Sequence, residues 1–126
     1  MCSSDLRTLT LQDSNLTVAG IDVAQNYTAP QRSALFTDND LSFDLGAKQN
    51  FKCTPSAGGA LTFTNHADGL SGSVLLINGS NYAITAAATT KISATALSRI
   101  SASGTYRIDF IDDGTNTYCT ASENLA

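Results

Sequence analysis

Apolar and polar residues alternate along almost the whole chain, a period of two that sends successive side chains to opposite faces of a β-strand. In Leu41–Leu45 (LSFDL), Leu41, Phe43 and Leu45 share one face, and Ser42 and Asp44 share the other. Leu61–Thr64 (LTFT) repeats the pattern after the turn-forming run Pro55–Gly59 (PSAGG). Val74–Ile77 (VLLI) is apolar without a break, which predicts a strand covered on both faces. Asn78–Asn81 (NGSN) follows at once, and because Asn-Gly readily takes the positive φ of a type I′ turn, a hairpin is predicted there, with Gly79 in the left-handed region. Tyr82 and Ile84 resume the alternation. Gly104–Ile111 (GTYRIDFI) turns Tyr106, Ile108 and Phe110 inward and Arg107 and Asp109 outward. Thr115–Thr120 (TNTYCT) is predicted to pair back across Asp112, Asp113 and Gly114, residues that suit a turn.

Two regions read less directly. Within Thr90–Ile100, Ile92, Ala96, Leu97 and Ile100 have helical spacing, but Thr and Ser crowd the segment and no cap pattern stands out; a loop with a short strand is expected. Near the start, the pairs Leu9/Leu11, Leu16/Val18 and Ile21/Val23 are each too short to bury a face alone. They fit either a β stem walled by neighbouring chains or edge strands laid on the later domain. Pro30 offers no ladder donor, and a boundary is expected there.

Composition narrows the class. The chain has 126 residues, only 14% of them charged and none of them Trp, with Thr, Ser, Asn and Gly abundant. One domain of ordinary size is expected, and it is all-β: a small antiparallel, jelly-roll-like β-sandwich over residues 31–126, preceded by a short β stem over residues 7–30. Residues 1–6 stand apart, because Cys2–Leu6 (CSSDL) is what the end of a common sequencing-library adapter encodes; they are expected to be non-native, and the chain a metagenomic fragment. A net charge of −4, with Lys48, Lys52, Lys91, Arg99 and Arg107 dispersed, argues against a nucleic-acid partner. No apolar run approaches the roughly 20 residues of a membrane helix, so no membrane insertion is expected. The first ten residues show neither part of a signal peptide.

Candidate chemistry is sparse. Cys2, Cys53 and Cys119 form no CxxC pair, and two small buried thiols are expected, Cys2 falling in the non-native residues; a Cys53–Cys119 disulfide would require neighbouring strands. Asp109, Asp112 and Asp113 would make an acid/base or calcium site only if they converged, and their place at a strand end reads as turn chemistry. Thr37–Asp40 (TDND) reads the same way. His66 is the only histidine, too few for a His-rich metal site. Ser71 (GLSG) lacks the elbow motif of a nucleophilic serine. Asn15, Asn26 and Asn78 begin glycosylation-type triplets, better explained as turns. Of the four tyrosines, which could stack on sugars, two alternate inward. No catalytic, cofactor-binding or metal-binding residue is therefore assigned, and the chain is expected not to be an enzyme and to need no cofactor.

Several runs together carry a likeness: Thr37–Leu45 (TDNDLSFDL), Asn50–Pro55 (NFKCTP), Gly59–Asn65 (GALTFTN), Gly69–Asn78 (GLSGSVLLIN), Tyr82–Thr85 (YAIT) and, above all, Ser103–Tyr118 (SGTYRIDFIDDGTNTY). Between about Thr28 and Ser122 the chain resembles a recurrent β module of tailed-phage virion proteins, found in tail fibres, head fibres and appendages. Leu16–Gly20 (LTVAG) is similar to the shaft repeats that precede such modules. Where many relatives carry a tryptophan-containing stretch, this chain reads Ala86–Ile92 (AAATTKI). The resemblance implies a structural virion component made in the bacterial host cytoplasm. It further implies a homotrimer wound through the stem, in contact with other virion proteins and with a host-surface glycan or protein. The competing expectation is a carbohydrate-binding or adhesin-like sandwich outside any virion.

Overall fold

The alternating segments become nine strands and one short helix in the computed structural model, which describes residues 28–126; within them one unit spans Arg32–Ala126. Residues 1–6, most of the 7–30 stem, Cys2, Tyr27, Asn15 and Asn26 lie outside the described range. The strands are β1 (Phe36–Thr37), β2 (Ser42–Asp44), β3 (Asn50–Cys53), β4 (Gly59–Thr64), β5 (Ser71–Asn78), β6 (Ile84–Ala86), β7 (Thr90–Lys91), β8 (Gly104–Asp112) and β9 (Thr117–Ala121); α1 (Ala94–Ile100) lies between β7 and β8. They form a six-stranded sheet, in the order β1-β3-β5-β8-β9-β7, and a three-stranded sheet, β2-β4-β6.

The fold is mostly β, as expected, but the expected antiparallel sandwich is not what forms. Each strand from β1 to β6 lies in the other sheet from the one before it, so strands two apart in sequence become neighbours and run parallel. The result is solenoid-like: the chain winds so that each coil contributes one strand to each sheet. Only β5–β8 and β8–β9 are antiparallel among the described pairings, and β7 joins β9 in parallel. The reason lies in the corners. Leu41, Asn65, Gly69 and Asn81 have positive φ, and they sit between β1 and β2, β4 and β5, or β5 and β6, where the chain crosses the core instead of folding back beside itself. Alternation sets which side chains point inward; it carries no information about whether the partner strand runs parallel or antiparallel.

The core between the sheets is an aromatic chain. Four phenylalanines form it: Phe51 meets Phe43 at 5.0 Å, Phe43 meets Phe63 at 5.5 Å, and Phe63 meets Phe110 at 4.9 Å, while the exposed Phe36 caps one end by meeting Phe51 edge-on at 6.5 Å. These tilted and edge-on geometries suit the ring quadrupoles. Leu41, Leu45, Leu61, Val74, Leu76, Ile84, Tyr106 and Ile108 complete it. The inward and outward assignments for Leu41–Leu45, Leu61–Phe63 and Tyr106–Phe110 match the structure.

Three local expectations are corrected. Val74 and Leu76 are fully buried but Leu75 and Ile77 are only half-buried, so VLLI is covered fully on one face alone. Asn78–Gly79 is not a hairpin turn: β5 and β6 belong to different sheets, Asn78 ends β5, and the positive φ falls on Asn81. The Asn78 amide holds this corner by donating to Tyr82 O and Ile100 O, both at 2.9 Å, and accepting from Tyr82 N at 3.0 Å. An alanine methyl at Gly79 would touch nothing within 4 Å, so Gly79→Ala is expected to be neutral or to stabilise by up to about 1 kcal/mol through the unfolded state, as measured by urea midpoint.

Thr90–Ile100 is not a loop with a strand alone, since α1 forms within it. Ser93 caps α1, its Oγ accepting from Ala96 N at 3.1 Å. Ile100 and Ala96 face the interior, and Arg99 reaches Ala121 O at 2.9 Å. A seven-residue helix is too short to form alone; these contacts hold it. Cys53 and Cys119 are buried free thiols, as expected, on β3 and β9, with β5 and β8 between them. Three strand spacings of about 4.8 Å far exceed the reach of a disulfide. Burial pushes the Cys53 thiol up to about 11 and the Cys119 thiol up to about 12, so both are expected to resist a thiol reagent at pH 8 until the domain is denatured.

Candidate functional site

Extending the inward alternation of β8 two residues past Phe110 reaches Asp112, whose side chain is fully buried. Antiparallel pairing sets Ser71 opposite Ile111, bringing the β4–β5 connection alongside. Gly69 N–H donates to Asp112 O at 2.9 Å, and Asp112 N–H donates to Leu70 O at 2.8 Å. The carboxylate then gathers four donors. Oδ1 accepts from Ala67 N at 3.0 Å and Gly114 N at 2.8 Å; Oδ2 accepts from Thr117 Oγ1 and His66 Nδ1, both at 2.6 Å.

Burial acts to raise the Asp112 pKa, but the hydrogen bonds from His66, Thr117 and Gly114 outweigh it and hold the carboxyl below its usual range. An ionised carboxylate can only accept, so His66 carries its proton on Nδ1. The pair has the orientation of a carboxylate–histidine dyad, yet all four lone-pair positions of Asp112 are filled, which leaves it no capacity to take a metal or a substrate proton. Its role is to tie the β4–β5 connection to the terminal turn.

The other candidates diverge from this point. Asp109 lies on the outer face, its Oδ1 accepting from Ser73 Oγ at 2.7 Å and Arg107 Nε at 2.9 Å; these two bonds, the serine first, hold it below the usual carboxylate range. Asp113 accepts Asn116 N at 2.7 Å and Thr115 N at 2.9 Å on one oxygen, bonds that lower its pKa, and Tyr118 OH at 3.3 Å on the other. Gly114, at φ 90°, completes the turn. No group of three or more His, Cys, Asp or Glu converges among the described residues. Ser71 is exposed and shares the row of Ile111, on the opposite face of the sheet from Asp112. In the other acidic turn, Asn39 Oδ1 accepts from Thr54 N and Asp40 Oδ1 from Ser42 N, both at 2.9 Å. Burial, followed by the neighbouring Asp40, pushes Asp38 up. Asn78 is buried and fully bonded, out of reach of glycosylation in the folded chain.

The sequence reads Asp112 as part of a turn and gives His66 no partner, whereas the structure joins them. The signal for Asp112 was present in the period-two pattern; the 46-residue separation from His66 hid the partner. Sequence reasoning also missed a surface. The outer face of the six-stranded sheet carries Leu75 beside Lys52 and Arg107 in one row, and Ile111 beside Tyr118 and Ser71 in another. Ile111 is 55% exposed and Tyr118 46% exposed. A trough of about 470 Å³ opens there against β7.

The architecture and site define a mostly-β domain of mixed, solenoid-like sheets closed by an antiparallel hairpin. Comparison with protein families, curated proteins and solved structures gives no match. No helix among the described residues is long and apolar enough to cross a membrane.

Proposed function

We propose that the domain is a structural module of a tailed-phage virion, a tail-fibre, head-fibre or appendage component that contacts a host-surface receptor, and that it acts as a scaffold without catalysis. The observation that carries this reading is the terminal hairpin, whose sequence bears the strongest part of the likeness. Its two turn aspartates are spent on structure: Asp113 on the turn and Asp112 on the clip to Ala67, His66 and Thr117. Stacked parallel coils also suit a fibre component, because each coil is stabilised by its neighbours.

The module is proposed to work as a homotrimer, with the apolar pairs of residues 9–23 covered by symmetry mates. The deciding experiment is recovery of the intact locus together with mass spectrometry of purified particles. Capsid, portal or tail genes alongside, and peptides of this chain in the particles, are the expected result. A locus of cell-surface or metabolic genes overturns the assignment. Sedimentation of the full chain as a monomer at every concentration would overturn the trimer.

A further inference from the structure

The outer trough against β7 is not used by the clip or the turn, and its composition is specific. Its floor is the exposed Tyr118 ring with Ile111 and Ile92, and its rim carries Asp109, Lys91 and Thr120. Asp109 pairs with Thr120, and Ile111 with Tyr118, across β8 and β9. Asp109 and Tyr118 are therefore diagonal neighbours on one face, about 7 Å apart, a separation that one pyranose ring spans.

The polar groups are held in place. Asp109 Oδ1 is locked by Ser73 and Arg107, and Oδ2 takes no donor from the described residues, so this rim carboxylate keeps one oxygen with capacity to accept. Lys91 Nζ is tethered to Ala88 O at 2.8 Å. One anion and one cation line the trough, so its charge is balanced and a neutral ligand fits better than an anionic one. A flat ring and aliphatic surface beside fixed hydrogen-bonding groups matches a ligand with a C–H face and a hydroxyl edge. The volume of about 470 Å³ falls within the range of small-molecule sites, and a shallow, open trough of this size is much smaller than the roughly 800 Å² per partner that a stable protein interface needs.

We propose that this trough binds a neutral saccharide, one pyranose lying on Tyr118 with a hydroxyl donating to Asp109 Oδ2. The inference names the ligand class for the host contact in the proposed function and rests on that reading.

The test is an NMR titration of the full chain with maltotriose, chitotriose, mannotriose, galactobiose and rhamnose, each to about 20 mM. At least one is expected to give saturable shifts confined to residues 91–93, 109–111 and 118–120, with a dissociation constant of about 0.1 to 10 mM, the weak range of single-site contacts. Tyr118→Ala is expected to weaken binding at least tenfold and Asp109→Asn at least threefold, while Tyr118→Phe retains it, each variant keeping the dispersed amide spectrum of the folded parent. No saturable shift with any probe, shifts centred elsewhere, or binding indifferent to Tyr118→Ala overturns the site. Dissociation of an oligomer by Tyr118→Ala also overturns it, making the face an interface between copies. None of these outcomes touches the locus and particle experiment, so failure of the site and failure of the virion assignment are distinguishable.

Discussion

Gly72→Ala is expected to destabilise the domain by more than about 3 kcal/mol, beyond the usual range for overpacking, and to leave little folded protein at 37 °C. Gly72 lies in β5 opposite Phe110. A methyl group there would sit 1.8 Å from Gln49 O, 2.8 Å from Gln49 C and 2.9 Å from Phe110 Cζ. The first two are backbone atoms of the residue just before β3, so no rotamer change relieves the clash. Moving Gln49 would break the bond that its carbonyl accepts from Ser73 N at 3.1 Å and disturb the one its side chain donates to Ser71 O at 3.1 Å. It would also loosen the β3–β5 pairing on which the coil stacking rests. Moving Phe110 would open the end of the aromatic chain at Phe63. Urea denaturation followed by circular dichroism measures the loss; a variant within about 1 kcal/mol of the parent would show that β3 and β5 are not this close.

Asp112→Ala is expected to cost about 3 to 5 kcal/mol, the range for breaking a buried charged network, because it strands four donors at once. Ala67 N, Gly114 N, Thr117 Oγ1 and His66 Nδ1 all lose their acceptor, and Thr117 is itself fully buried. Asp112→Asn keeps one oxygen for the two backbone amides and is expected to cost about 1 to 2 kcal/mol, near the value of one or two ordinary hydrogen bonds.

The same carboxylate predicts an acid limb. Its folded pKa lies below the ordinary value of 3.8, so the folded state binds fewer protons than the unfolded state between the two. Stability therefore rises with pH in that window: the contribution is complete above about pH 4 and is lost as pH falls through the folded value. Asp109 and Asp113 are depressed as well and act in the same direction. The loss of stability between pH 5 and pH 2 is expected to be smaller in Asp112→Asn than in the parent, read from thermal midpoints across that range. An identical slope in both proteins would remove Asp112 as a source of the acid sensitivity.

The terminal turn is where the sequence was most legible. Asp113, Gly114 and Asn116 behave as turn chemistry requires, because their bonds are local. Asp112 was misread for the opposite reason. Its partners His66 and Ala67 are 46 and 45 residues away, and only the β5–β8 register brings them together. The helix was obscured by the same kind of dependence. Ser and Thr weaken intrinsic helix propensity, and α1 persists because Ile100 is buried and its carbonyl accepts from Asn78. The trough was invisible for a further reason: Tyr118, Ile111 and Lys91 come from three strands whose adjacency no local pattern encodes.

By itself the amino-acid sequence determined that this protein is built from strands, which faces of Leu41–Leu45, Leu61–Phe63 and Tyr106–Phe110 turn inward, and where the last hairpin bends. Those properties follow from side-chain period and local turn chemistry, which act over a few residues. Only the tertiary structure decided that the strands stack in parallel coils, that Asn78 closes a corner instead of a hairpin, that Asp112 is buried against His66, and that an aromatic trough opens on the outer sheet. Each of these depends on which distant strands become neighbours, a choice settled by the crossing corners and the packing of the phenylalanine core.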